Sequence, residues 1–153
     1  MSAQSTQTTQ TIQTQKRFRA AAEQRDLATL EELFAPDARL YSPVKFRPFE
    51  GRPMIMGVLG VLMRVFEDFR YVGEFTGTSE RNATGEEADS AVLIFRATVD
   101  GKEIHGMDLF TFDEAGLITE LTVMVRPHSA VVTLGQAVLA GLAEDGLAPA
   151  PGA

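Results

Sequence analysis

At about Phe69 the apolar residues change period, and that change limits the folds open to the chain more than any other feature. Upstream they recur at helical spacing. Phe18, Ala21, Ala22 and Arg25 recur at the spacing of a first helix, and Asp26 stands as N-cap to a second with Leu27, Leu30, Leu33 and Phe34 on one face. Pro36 and Asp37 end it, residues 38–42 (ARLYS) form a short strand stopped by Pro43, and residues 44–53 form an irregular loop. A third helix runs from Met54 to about Phe66 on the stripe Met54, Val58, Leu62 and Val65/Phe66, with Gly57 and Gly60 marking close packing. Downstream the side chains alternate in four segments, FRYVGEFTGTSE, DSAVLIFRATVD, KEIHGMDLFTFDE and LITELTVMVR. Asp100-Gly101 makes a hairpin turn between the second and third, and residues 113–116 a longer turn between the third and fourth. Val131, Leu134, Val138, Leu139 and Leu142 supply a closing helix. The fold class is α+β: a curved antiparallel sheet packed on N-terminal helices, with a C-terminal helix.

Composition removes several function classes. A net charge of −7 with no basic block argues against nucleic acid as a partner. The absence of Cys excludes disulfides, thiolate zinc sites and Cys nucleophiles, and two histidines, His105 and His128, leave little for a metal site. No metal and no cofactor are expected. No apolar run approaches the ~18 residues of a membrane span. Residues 1–15 are Ser, Thr and Gln with no charge, and are expected to be a disordered tail. They resemble neither a secretory signal nor a transit peptide, so a cytoplasmic location is expected. Residues 16–143 form the folded domain and residues 144–153 a flexible Pro/Ala/Gly tail.

Sorting each strand into its two faces locates one anomaly. On the last strand Leu117, Thr119, Leu121, Val123 and Val125 face inward, opposite Ile118, Glu120, Thr122, Met124 and Arg126. On the 91–99 strand the inward set Ala91, Leu93, Phe95, Ala97 and Val99 is wholly apolar. Between them Asp108 shares a face with Ile104, Gly106, Phe110 and Phe112. A carboxylate kept from water without a cation has its charged form penalised, so its pKa rises and it becomes a hydrogen-bond donor. Such a neutral acid can stabilise an enolate or alkoxide in an apolar pocket. The alternative is structural: Asp108 caps a bulge or pairs with Arg126 or another arginine at the sheet's edge.

The segments RDLATLEELFAPDARLYSP (25–43), MDLFTFDEAGLI (107–118) and TVMVRP (122–127) resemble the NTF2-like superfamily, cone-shaped α+β domains that include ketosteroid isomerases, SnoaL-like polyketide cyclases and limonene-epoxide hydrolases. The resemblance covers about residues 16–142 and implies the cone fold. It also places the isomerases' hydrogen-bond-donating acid on Asp108, their tyrosine on Phe18 and their proton-moving aspartate on Ser42, before Pro43. An unassisted hydroxyl is no general base, so steroid isomerisation by that mechanism is not expected. The epoxide hydrolases' last acid falls on Val123, and Arg96 is followed two residues on by Thr98 instead of an acid.

These considerations make Asp108 the catalytic candidate, with Phe18, Tyr41, Ser42, Phe95, His105, Phe110, Leu121 and Val123 as ligand-binding candidates. Of Tyr41 and Ser42, alternation favours Ser42 as the inward one. His105 alternates away from Asp108 and reaches the pocket only if Gly106 forms a bulge. Lys45, Arg47 and Arg52 lie where the pocket mouth falls, as cations for an acidic ligand or ordinary solvated charges. Arg126 is expected to pair with a carboxylate or a helix end. Gly57, Gly60, Gly73 and Gly77 lack the strand–loop–helix setting of a dinucleotide site. The outward residues Met107, Leu109, Ile118 and Met124 need cover, which a homodimer through the sheets supplies. Three functions follow: a cofactor-free isomerase or cyclase acting on a carbonyl-containing hydrophobic metabolite, a non-catalytic binder of a small hydrophobic molecule, or a dimeric interaction domain whose cone its own phenylalanines fill.

Overall fold

A computed structural model of the chain describes residues 2–147, with side chains from residue 9 onward. Its elements are α1 (Ser2–Gln24), α2 (Leu27–Leu33), β1 (Phe34–Tyr41), β2 (Phe49–Glu50), α3 (Arg52–Val65), β3 (Glu67–Glu80), β4 (Glu87–Val99), β5 (Lys102–Phe112), β6 (Ile118–Arg126) and α4 (His128–Glu144). The strands form one curved sheet in the order β2-β1-β6-β5-β4-β3. The α+β class and the four-strand meander hold. No described helix is long and apolar enough to cross a membrane.

The sheet is mixed rather than antiparallel, because β1 pairs in parallel with β6. Three reversals carry the meander from β3 at the far edge back to β6, which arrives beside β1 running in the same sense. Part of the expected loop 44–53 also joins the sheet, as β2 against Arg39 and Leu40.

Both ends of the domain are longer than composition indicates. The segment expected to be disordered is helical from Ser2 on, and its sequence-distant partners explain why. Thr14 Oγ1 donates to the Gly116 carbonyl at 2.7 Å, Gln15 Nε2 donates to Glu74 at 3.1 Å, and Thr11, Thr14 and Gln15 are buried. A polar helix is stable here because its buried face finds hydrogen-bond partners, not because it is amphipathic. At the other end Leu147 packs on α3, where a side chain at Gly57 would come within 2.5 Å of it. The expected flexible tail beyond it, residues 148–153, lies outside the described residues.

The core lies between the helices and the inner face of the sheet, with Leu30, Leu33, Phe34, Ile55, Leu93, Phe95 and Phe110 fully buried. Two residues of β6 depart from simple alternation. A register shift between Thr111 and Phe112 turns Ile118 into the core. Glu120 is also buried: its carboxylate accepts the backbone N–H groups of Asn82 and Ala83 at 2.8 and 2.9 Å.

Candidate active site

Regular pairing on both sides fixes where β5 points Asp108. It stands opposite Leu93 of β4 and Val123 of β6, on the face that also carries Ile104, Gly106, Phe110 and Phe112. Gly106 is in register with Phe95 and Val125, so no bulge forms there. Asp108 is 7% exposed. Burial raises its pKa to about 7, against the opposing pull of one hydrogen bond. That bond comes from Tyr71 of β3, whose hydroxyl donates to Asp108 Oδ2 at 2.8 Å. Burial and the neighbouring carboxyl hold the Tyr71 phenol well above its ordinary value.

Tyr71 is held by α1. Because β3 is an edge strand, α1 takes the part of a neighbour: Glu23 accepts the Tyr71 N–H at 3.2 Å and Arg19 donates to its carbonyl at 3.2 Å. A register shift follows between Tyr71 and Gly73, leaving Val72 half exposed. The Tyr71 ring stands edge-on to Phe69 at 5.0 Å, and Phe69 lies against Phe66 at 5.3 Å and Phe95 at 5.2 Å. These rings line a cavity of about 80 Å³, room for several waters or a slim apolar molecule.

Six of the residues singled out from sequence line this cavity: Asp108, Phe18, Ser42, Phe95, Leu121 and Val123. Ser42 is at its edge, where its Oγ accepts the Val44 N–H at 3.3 Å. Three others do not line it. Tyr41 alternates outward between Leu40 and Ser42, beside Arg39. Phe110 is core, packed edge-on to Phe18 at 4.6 Å and outside the cavity wall. With β5 in regular register, His105 stays on the outer face, its Nδ1 3.4 Å from Arg126; burial and the charges of Arg96 and Arg126 lower its pKa. Arg126 therefore meets an imidazole, not a carboxylate.

Of the loop cations, Arg52 donates twice to the Phe34 carbonyl and Lys45 lies 4.1 Å over the Phe49 ring. The cation that lines the cavity is Arg25. Sequence reasoning missed Arg25, Phe69 and above all Tyr71. The available signal was the two-residue spacing of Phe69 and Tyr71, which puts both on one face of β3. Among the described residues no three His, Asp or Glu side chains gather as a metal site, and Asp108 is the single carboxylate in the cavity wall.

A buried carboxyl in the wall of an apolar cavity, protonated below about 7 and holding a phenol hydrogen bond on its other oxygen, can donate one hydrogen bond to an oxygen atom of a guest. Residues 16–121 match the SnoaL-like domain family. A steroid delta-isomerase from Pseudomonas aeruginosa is 34% identical, with 91% of this chain and 96% of that one covered and a TM-score of 0.79. An uncharacterized bacterial protein with a cystatin-like fold from Silicibacter pomeroyi is 28% identical, with 87% of each chain covered and a TM-score of 0.76. An NTF2-like protein of unknown function from Cytophaga hutchinsonii shares the fold at 19% identity, covering 78% of this chain and 92% of that one with a TM-score of 0.54. Comparison with curated proteins finds no match. The family match spans most of the folded domain and the likeness to the isomerase nearly all of it, so the chain belongs to the SnoaL-like family of the NTF2-like superfamily.

Proposed function

We propose that the protein binds a small, carbonyl-bearing apolar molecule in this cavity and promotes isomerisation or cyclisation through its enol form. The observation that carries the reading is the Tyr71–Asp108 pair, buried among apolar side chains with Asp108 titrating near 7. In its neutral form Asp108 has an O–H to offer a carbonyl oxygen, and Tyr71 stands beside it. When the carbon next to that carbonyl gives up a proton to water, negative charge collects on the oxygen that the Asp108 O–H faces. A donor already held in place by Tyr71 stabilises it without reorganisation. The likeness to a protein described as a steroid delta-isomerase supports an isomerase of an apolar substrate.

A second reading is a carrier that holds the same kind of molecule unchanged. It is favoured by Ser42 at the cavity's edge and by the lack of a second carboxylate in the wall. Exchange of the protons beside the carbonyl of a small cyclic ketone in heavy water, followed by proton NMR, separates the two. An enzyme accelerates exchange, and Asp108→Leu, which has no N–H or O–H to offer, slows it by about a hundredfold, the usual cost of one such donor. Saturable ketone binding without faster exchange would establish the carrier.

We further propose that the outer face of the sheet pairs with a second copy. The pairing registers align two apolar rows across it, Ile94–Met107–Met124 and Phe75–Val92–Leu109. Phe75 is 61% and Met124 45% exposed in the single chain. A depression of about 310 Å³ lined by Ile94, His105, Met107, Met124 and Arg126 supports this reading.

A further inference from the structure

Arg25 occupies a backbone position where an arginine is costly. It ends α1 in the left-handed region, at φ 57, with its N–H on the Ala22 carbonyl and the Asp26 N–H on the Ala21 carbonyl. This is the helix-ending motif whose left-handed residue is usually glycine, because a Cβ is strained there. Strain of this kind persists where the side chain serves a purpose. The side chain of Arg25 lines the cavity, and Nη2 donates to the Phe66 carbonyl at 3.3 Å. Among the described residues no carboxylate oxygen lies within 4.0 Å of its guanidinium. Its neighbour Asp26 is instead engaged by the Thr29 N–H and hydroxyl. A guanidinium carries five N–H donors in a fork suited to carboxylate or phosphate. The cavity wall thus carries the Tyr71–Asp108 pair, the solvent-exposed cation of Arg25 and apolar side chains such as Leu62, Met63, Phe66 and Phe69.

We infer that the ligand is an amphipathic anion: an apolar skeleton with a carbonyl at one end, met by the Asp108 carboxyl that Tyr71 holds, and a carboxylate at the other, met by Arg25. The inference rests on the carbonyl-site reading given above and adds the charge of the substrate to it. Arg25 is then a specificity-determining residue. It selects the anion over a neutral molecule of the same shape and holds it with the carbonyl directed inward.

The test uses methyl-keto carboxylates of increasing chain length, each beside its neutral primary amide. They are titrated into the full chain and into Arg25→Met and Arg25→Gly, with binding read by NMR shift perturbation. At one length the native protein is expected to bind the carboxylate about tenfold more tightly than the amide, and the ratio falls to about one in both variants. Arg25→Gly is expected to keep or raise the melting temperature, since glycine adopts the left-handed angle without steric penalty, so a lost preference there is not a folding defect. Asp108→Leu, which keeps the size but has no donor, weakens acid and amide alike. Equal binding of acid and amide by the native protein, or a preference that survives in Arg25→Gly, overturns the role of Arg25 and leaves the carbonyl site standing. Carboxylate preference with binding untouched by Asp108→Leu overturns the carbonyl site while supporting the anion site. Binding of no member of the series overturns both.

Discussion

The Tyr71 hydroxyl reaches from the edge strand, past β4, to donate to Asp108 Oδ2 at 2.8 Å. The bond opposes the burial that raises the Asp108 pKa. Removing it in Tyr71→Phe is therefore expected to move the carboxyl's titration above about 7, at a stability cost of about 1 kcal/mol. An NMR titration of the Asp108 carboxyl carbon measures the shift. A midpoint that falls in the variant contradicts the assignment of Tyr71 as donor to the ionised form.

Asp108 also makes stability depend on pH in a direction unusual for an aspartate. It titrates near 7 in the fold, against an ordinary value of 3.8. Below both values it is protonated in folded and unfolded chains alike, and its burial carries no charge penalty. Between them the unfolded chain ionises while the folded one does not, so stability falls as pH rises, by on the order of 4 kcal/mol once the pH exceeds about 7. Asp108→Asn lacks this loss. Urea denaturation between about pH 5 and about pH 8 is expected to show a falling midpoint for the native chain relative to the variant. Parallel profiles would mean that the carboxyl is not stranded as described.

Gly106 lies two residues before Asp108 in β5, in register with Phe95 and Val125. A Cβ there would come within 2.5 Å of Phe95 Cζ and 2.8 Å of the Met124 carbonyl oxygen, and the latter is backbone that cannot swing aside. Gly106→Ala is expected to destabilise the fold by roughly 1–3 kcal/mol and to displace the Phe95 ring from the cavity wall. Thermal unfolding and the ring's NMR shifts report the two effects. Unchanged values of both would show that β5 has slack at this point.

Local signals were legible and distant ones were not. Asp100 and Gly101 both have positive φ, as the turn between β4 and β5 requires, and Asp113 Oδ1 accepts the Ala115 and Leu117 N–H groups at 2.9 Å each, pinning the next turn. Asp108 could be found because β5 alternates without interruption beside an apolar strand. Tyr71 offered only its two-residue spacing from Phe69: past the register shift that follows it, β3 is mostly exposed on both faces and its alternation carries no contrast. The parallel pairing of β1 with β6 joins segments some eighty residues apart, which no local pattern reports. Arg25 looked like the last residue of a helix face until its left-handed backbone placed it at the cavity rim.

The same distinction applies to α1, whose N-terminal turns are held by partners far along the chain. Thr14→Val keeps the shape of the side chain but leaves the Gly116 carbonyl without its donor. A loss of about 1–2 kcal/mol is expected. Protection of amides in residues 9–15 from hydrogen exchange should fall with it. If the substitution changes neither, the early turns of α1 are not anchored through this bond.

Self-association through the outer face makes a prediction independent of the cavity. Met107 is flanked in register by Ile94 and Met124 at the centre of the apolar rows. A charge there stays solvated in a lone chain, but in a face-to-face dimer it would be buried opposite apolar side chains at a cost of several kcal/mol. The native chain is expected to sediment as a dimer at micromolar concentration and Met107→Asp as a monomer with the same far-ultraviolet circular dichroism. Because Met107 alternates away from Asp108, the ketone affinity of Met107→Asp should match that of the native protein. A native chain that sediments as a monomer leaves the rows exposed and removes the case for a second copy.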